Sequence, residues 1–252
     1  MEYMCNSEYG LEQYCEYWDD IIRETVDVLG EQDAFHIHEV HIQNWISFLE
    51  WLRAENYFEE TAVIERFIQM FNEFRWIHFL FLVGNYRTIY WKLRYVLELV
   101  IQAYDMHEQS RNEDLTLGEQ MVRAAAIEES RYSSNIMNWI EAALSTILDE
   151  DETDIKEWFA PLWTLMNKHV HPSPKEMNTI VERDPAALYW DSFDKRRARE
   201  VLMATNAVGD IIFRTIFEIY PGIVDRAAEN EPFVETLDAL PYTAAIVRNE
   251  PL

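Results

Sequence analysis

The spacing of apolar residues between Tyr86 and His107 constrains the fold of this chain more than any other feature of the sequence. Apolar side chains recur there three and four residues apart, at Tyr86, Ile89, Tyr90, Leu93, Leu97, Val100, Ile101 and Tyr104. Side chains at this spacing share one face of an α-helix. The pattern therefore predicts a helix with one buried stripe over residues 86–107.

The same helical period dominates most of the chain. It predicts further helices over residues 8–29, 34–53, 58–83, 117–148 (one helix kinked at Ser133 and Ser134, or two), 153–171 and 193–220. Asn85, Thr153 and Ser192 are the expected N-caps. Only six glycines are present, which argues against many short strands and tight turns. The chain is therefore predicted to be all-α, a multi-helix bundle of about seven helices.

This layout divides the chain into three regions. Residues 1–84 form an N-terminal helical region, and residues 85–220 form the main bundle. The last thirty or so residues contain Pro232, Pro241 and Pro251, and proline does not continue a helix. Residues 221–252 are therefore predicted to be an extended C-terminal tail.

Neither a membrane span nor a secretion signal is expected. The longest apolar run, over residues 76–90, contains His78 and Arg87 and is shorter than the roughly 18 residues that a span needs. The N-terminus has acidic residues and lacks the basic start of a signal peptide. Two cysteines, Cys5 and Cys15, are too few for a disulfide framework. We expect a cytoplasmic protein with reduced thiols.

The net charge of −25 limits the partners that the chain can bind. It is opposite in sign to the charge that a non-specific DNA-binding surface carries, so DNA is not expected as a ligand. Carboxylates are abundant and only five lysines are present. Two explanations stay open: a halophilic protein that works in concentrated salt, where screening weakens self-repulsion, or an ordinary acidic cytosolic protein.

The histidines near the N-terminus are the first candidates for a metal site. His36, His38 and His41 surround Glu39. A di-iron helical bundle uses Glu-x-x-His motifs on two helices, and neither such a motif nor a second partner helix is present. Gly-rich phosphate loops are also missing. We therefore expect no metal and no cofactor.

A stripe of charged residues borders the apolar face of the 86–107 helix. Arg87, Arg94, Glu98 and Asp105 lie in a narrow angular band, because steps of seven and four residues nearly return to the same face. Arg94 and Glu98 can form an i, i+4 pair. Two interpretations stay open: an ion pair at a helix interface, or a polar pocket that holds a phosphate or a catalytic partner.

The segment around His171 is the candidate catalytic element. Asn167 lies one helical turn before His171, which precedes the break at Pro172. A histidine held at a helix end can act as a general acid or base near neutral pH, with Lys168 as a neighbouring binding residue. Alternatively, the histidine complements the helix dipole and caps carbonyl groups.

The one basic cluster follows Asp194. Lys195, Arg196, Arg197 and Arg199 lie within five residues of an otherwise acidic chain. They can bind RNA phosphates or an acidic protein, with Arg196 and Arg197 as the binding candidates. Alternatively, they form a solvated helix face paired with nearby carboxylates.

The segment Met166-Asn167-Lys168-His169-Val170-His171-Pro172-Ser173, together with the helix that begins at Tyr86, resembles the HEPN superfamily. The similarity covers residues 85–220. The family motif is an arginine, a few residues that often start with a polar one, and a histidine near a helix end. Asn167 and His171 match the polar residue and the histidine, but Met166 stands at the arginine position.

The resemblance implies a helical bundle that is often dimeric and often an RNase in defence or toxin–antitoxin systems. The motif arginine would neutralise phosphate charge, which Met166 cannot do. Three functions therefore stay open: a non-catalytic HEPN-like homodimer that binds RNA or a partner protein, a metal-independent RNase that uses His171 and Asn167 with Arg94 or Arg87, and an unrelated helical interaction scaffold. The departure at Met166 favours the first function.

Overall fold

The computed structural model describes residues 19–27, 44, 47–55, 61–112, 116, 118, 119, 122, 136–170 and 194–248. The long helices are α1 (Thr61–Leu82), α2 (Tyr86–Asn112), α3 (Ile136–Leu148), α4 (Glu152–Val170) and α5 (Lys195–Ile219). Three short helices follow, α6 (Val224–Ala228), α7 (Glu231–Val234) and α8 (Pro241–Arg248). Residues 19–27 and 47–54 are also helical, and the described residues contain no strand. The all-α prediction is confirmed.

A sharp turn joins α1 to α2. Gly84 adopts a positive φ of 73°, which costs glycine nothing because it has no Cβ. The backbone N–H of Thr88 donates to the side-chain oxygen of Asn85 at 3.1 Å. The prediction that Asn85 caps this helix is therefore confirmed. The turn folds α1 and α2 into an antiparallel hairpin.

Helix α2 lies at the centre of the bundle, where it contacts α1, α3, α4 and α5. The stripe predicted from the sequence is buried at Tyr86, Ile89, Tyr90, Leu93, Leu97, Val100 and Ile101. Facing core residues come from α1, α4 and α5, and include Phe67, Phe74, Phe159 and Phe213. Because each buried aromatic side chain removes 150–250 Å² from water, these contacts dominate the core.

The start of α5 differs from the prediction. The N-cap is Asp194 rather than Ser192, and its carboxylate accepts hydrogen bonds from the backbone N–H groups of Arg196 and Arg197. A carboxylate at this position satisfies unpaired N–H groups and also complements the positive end of the helix dipole. No hydrophobic stretch among the described helices meets the length needed to cross a membrane.

The prediction of an extended tail after residue 220 is wrong. Residues 221–248 form a 3₁₀ turn (Pro221–Ile223), α6 and α7, a second 3₁₀ turn (Leu237–Ala239) and α8. Pro221, Pro232 and Pro241 lie in the first turn of their elements, where a missing N–H costs no hydrogen bond. Phe233 is fully buried, with its ring centroid 5.1 Å from that of Phe213. The prolines therefore start short packed helices.

The buried carboxylate of Asp210 fixes the last of these helices. Asp210 lies on α5, and its two oxygens accept hydrogen bonds from the backbone N–H groups of Tyr242 at 3.0 Å and Thr243 at 2.8 Å. These groups belong to the first turn of α8, so a residue 32 positions away caps that helix. Burial raises the pKa of Asp210 from 3.8 to about 6, against the opposing effect of these hydrogen bonds.

We expect protonation of Asp210 to stabilise the fold. Because the pKa of this carboxyl is higher in the folded than in the unfolded chain, its stabilising contribution is complete below pH 3.8 and is lost as the pH rises through about 6. The Asp210→Asn variant cannot titrate here. Between about pH 7.5 and pH 5, the free energy of unfolding of the wild type should rise by about 1.4 kcal/mol relative to this variant. Urea unfolding at both pH values measures the difference, and parallel pH profiles would contradict it.

Candidate functional site

Arg94 is the centre of the candidate site. It projects from α2 one turn before Glu98, and its Nε donates to Oε1 of Glu98 at 3.1 Å. The side chains are 17% and 7% exposed, respectively. The predicted i, i+4 pair is therefore formed, and it lies in a largely closed environment. A carboxylate buried to this extent needs such a partner, because an unpaired charge away from water is costly.

Two residues of α4 complete the surroundings of the guanidinium. Nη1 of Arg94 donates to Oδ1 of Asn167 at 2.5 Å. The Arg94 Cζ lies 4.9 Å from the centroid of the Trp163 ring, within the range of a cation–π contact. Trp163 and Asn167 are four residues apart and share a face of α4. One arginine thus binds α2 to α4 through an ion pair, a hydrogen bond and an aromatic contact.

Met166 is buried in the protein core with 0% exposure. Asn167, the next residue, points toward Arg94, so the two side chains lie on different sides of α4. An arginine at position 166 would bring a charge into apolar surroundings, which is strongly unfavourable. Met166, which stands where the resembled motif has an arginine, is therefore a packing residue.

The structure describes only some of the other candidate residues. Arg87 is exposed on α2, about two turns before Arg94, and Asp105 is half-buried further along the same helix. Lys168 lies within α4, although its side chain is outside the described part of the chain. His171 and the histidines at 36, 38 and 41 also lie outside the described residues. The structure thus brings together Arg94, Glu98 and Asn167.

Two of the four basic residues at the start of α5, Arg196 and Arg197, are paired with nearby carboxylates. Arg197 Nε lies 3.6 Å from Oδ2 of Asp194, and Arg196 Nη1 lies 3.5 Å from Oε1 of Glu200. All four side chains are substantially exposed, so each pair stabilises the helix by little. The pairs nevertheless offset the positive charge that an anionic ligand would need. This geometry agrees with the interpretation of a solvated helix face.

Sequence reasoning missed one tryptophan at this site and a second one on the adjacent turn of α2. Trp163 contacts Arg94 from α4, and Trp91 is 55% exposed on α2, one turn before Arg94. A spacing signal was present for both: Trp163 precedes Asn167 by four residues, and Trp91 precedes Arg94 by three. Within the described residues, no group of three histidine, cysteine, aspartate or glutamate side chains is arranged to hold a metal ion.

No family model matches the chain, and neither a curated protein nor a solved structure shows significant similarity to it.

We expect Arg94→Ala to destabilise the fold by about 3 kcal/mol, because it removes one partner of a buried ion pair between α2 residues together with the contacts of Arg94 to α4. The matched control is Arg87→Ala, which changes an exposed arginine on the same stripe and should alter stability by less than about 0.5 kcal/mol. Urea unfolding monitored by circular dichroism measures both. Equal effects of the two substitutions would contradict the structural assignment of Arg94.

Proposed function

We propose that this chain is a non-catalytic, HEPN-like regulatory protein of the cytoplasm that acts as a homodimer and binds a protein partner. The observation that carries the proposal is the engagement of Arg94. Its guanidinium is held by Glu98, Asn167 and Trp163, and Met166 occupies the motif arginine position as a core residue. An arginine that neutralises a phosphate in a transition state must instead direct its N–H groups at the substrate.

A protein partner fits the surface better than RNA does. Arg196 and Arg197 are matched by Asp194 and Glu200, and the chain as a whole carries a charge of −25. RNA binding depends on uncompensated positive charge and weakens steeply with salt. Exposed Trp91 next to the Arg94 site belongs instead to a residue type that is enriched at the centres of protein interfaces.

One observation favours a second candidate, a metal-independent RNase. Such an enzyme would use His171, Asn167 and Arg94, and a hydrogen bond joins two of these three residues, Arg94 and Asn167. In this alternative, His171 moves protons and Arg94 stabilises the charge of the phosphate. High salt would reduce the repulsion between the acidic chain and RNA.

Incubation with a structured RNA and a single-stranded RNA, in the presence of EDTA, separates the two functions. We expect no cleavage by the wild type at low or high salt, because Arg94 is already bound within the protein. The control is His171→Ala, which should behave like the wild type. Cleavage that the wild type performs and His171→Ala lacks would establish the RNase and overturn the proposal.

Fluorescence anisotropy of the same labelled RNAs tests the choice of partner class. We expect no salt-sensitive binding in the micromolar range, since Arg196 and Arg197 are paired with carboxylates and the chain has a net charge of −25. Binding that weakens with salt, and that is lost in an Arg196→Ala/Arg197→Ala variant, would move the assignment from a protein partner to RNA.

A further inference from the structure

The outward face of α1 carries large apolar side chains that the described bundle leaves open. Trp76 is 56% exposed, Phe79 is 50% exposed and Ile68 is 39% exposed. The core face of the same helix, which includes Phe67, Phe74 and Phe81, points the opposite way. The rings of Trp76 and Phe79 contact each other edge to face, with centroids 6.0 Å apart. An apolar face of this kind marks an interaction surface.

The order of residues on this face indicates what covers it. Exposed residues at 65, 68, 72, 75 and 79 are spaced alternately three and four apart, as in the seam of a helix pair. Trp76 lies beside this seam. Asn72 is near its middle, and Ile68 and Trp76 are each four residues from Asn72. If two copies pair antiparallel about a two-fold axis at Asn72, each Ile68 faces the Trp76 of the other copy.

Charge on the face selects the same arrangement. Glu65 lies toward the start of the seam and Arg75 lies on the other side of Asn72, and both are exposed. Antiparallel pairing places Arg75 of one copy near Glu65 of the other. The two residues are then offset by about 6 Å along the helix axis. Parallel pairing would instead place like charges together. Interfaces about a two-fold axis are self-complementary in this way.

The local charge of α1 also allows two copies to approach each other closely along this face. Helix α1 contains two basic and two acidic side chains and is therefore neutral, within a chain of net charge −25. Because screening limits electrostatic repulsion to about 8 Å at physiological salt, the local charge matters most at close approach.

We propose that the face formed by Glu65, Ile68, Asn72, Arg75, Trp76 and Phe79 is the interface for a second copy of this chain, paired antiparallel about Asn72. The inference rests on the proposed function in one respect, since it supplies the surface for the homodimer. It is independent of the proposed partner and of the absence of catalysis.

Light scattering after size exclusion tests the interface through the molar mass. The wild type should give about 60 kDa, twice the 30.1 kDa of the chain. Trp76→Glu/Phe79→Glu should give the monomer mass, because it buries four carboxylates in each dimer. The matched control is Met203→Glu, which changes a residue of α5 that is 72% exposed and should leave the dimer intact. Circular dichroism verifies that all three chains are folded.

A cysteine cross-link tests the register without relying on a disruptive change. In a background in which Cys5 and Cys15 are serine, Asn72→Cys should form an intermolecular disulfide on mild oxidation, because the two-fold axis brings the two positions together. Met203→Cys should not. A wild type that is monomeric at about 100 μM, a dimer that survives Trp76→Glu/Phe79→Glu, or equal cross-linking of the two cysteines would each overturn the proposed interface. The RNA assays above would be unaffected by any of these results.

Discussion

Helix α2 is enclosed by α1, α3, α4 and α5, and the polar groups that it carries must find partners inside the protein. Glu98, which is 5% exposed, pairs with Arg94. Asn167 and Trp163 bind the same guanidinium from α4, so one side chain links charge compensation to the position of a neighbouring helix. The proposal of a non-catalytic protein rests on these contacts of Arg94.

Local patterns predicted the long helices, whereas the short C-terminal helices depend on distant contacts. The apolar period identified α2 and its buried stripe, and Gly84 with Asn85 marked its start. Helices of four to eight residues do not form alone in water. They exist here because Asp210 caps α8 and because Phe233 packs on α5. Neither contact is visible as a pattern in the sequence, where the prolines of this segment indicate only breaks.

The candidate site likewise has one contact that the sequence predicted and one that it did not. Arg94 and Glu98 share a helix, so their spacing predicted the ion pair. Arg94 and Asn167 are 73 residues apart, and their contact depends on how α2 and α4 pack, which periodicity alone does not determine. Helix periodicity also does not distinguish Met166 as a core residue from Met166 as a substituted catalytic residue. That distinction needed the direction of its side chain, which follows from the packing of α4.

A double-mutant cycle between Arg94 and Asn167 tests whether the guanidinium of Arg94 is held by α4. Urea unfolding of Arg94→Ala, Asn167→Ala and the double variant gives the coupling energy between the two side chains. We expect a coupling energy of about 1 kcal/mol or more, because the hydrogen bond joins a charged group to a side chain of another helix. Additive effects, within about 0.3 kcal/mol, would mean that Asn167 does not hold the guanidinium of Arg94.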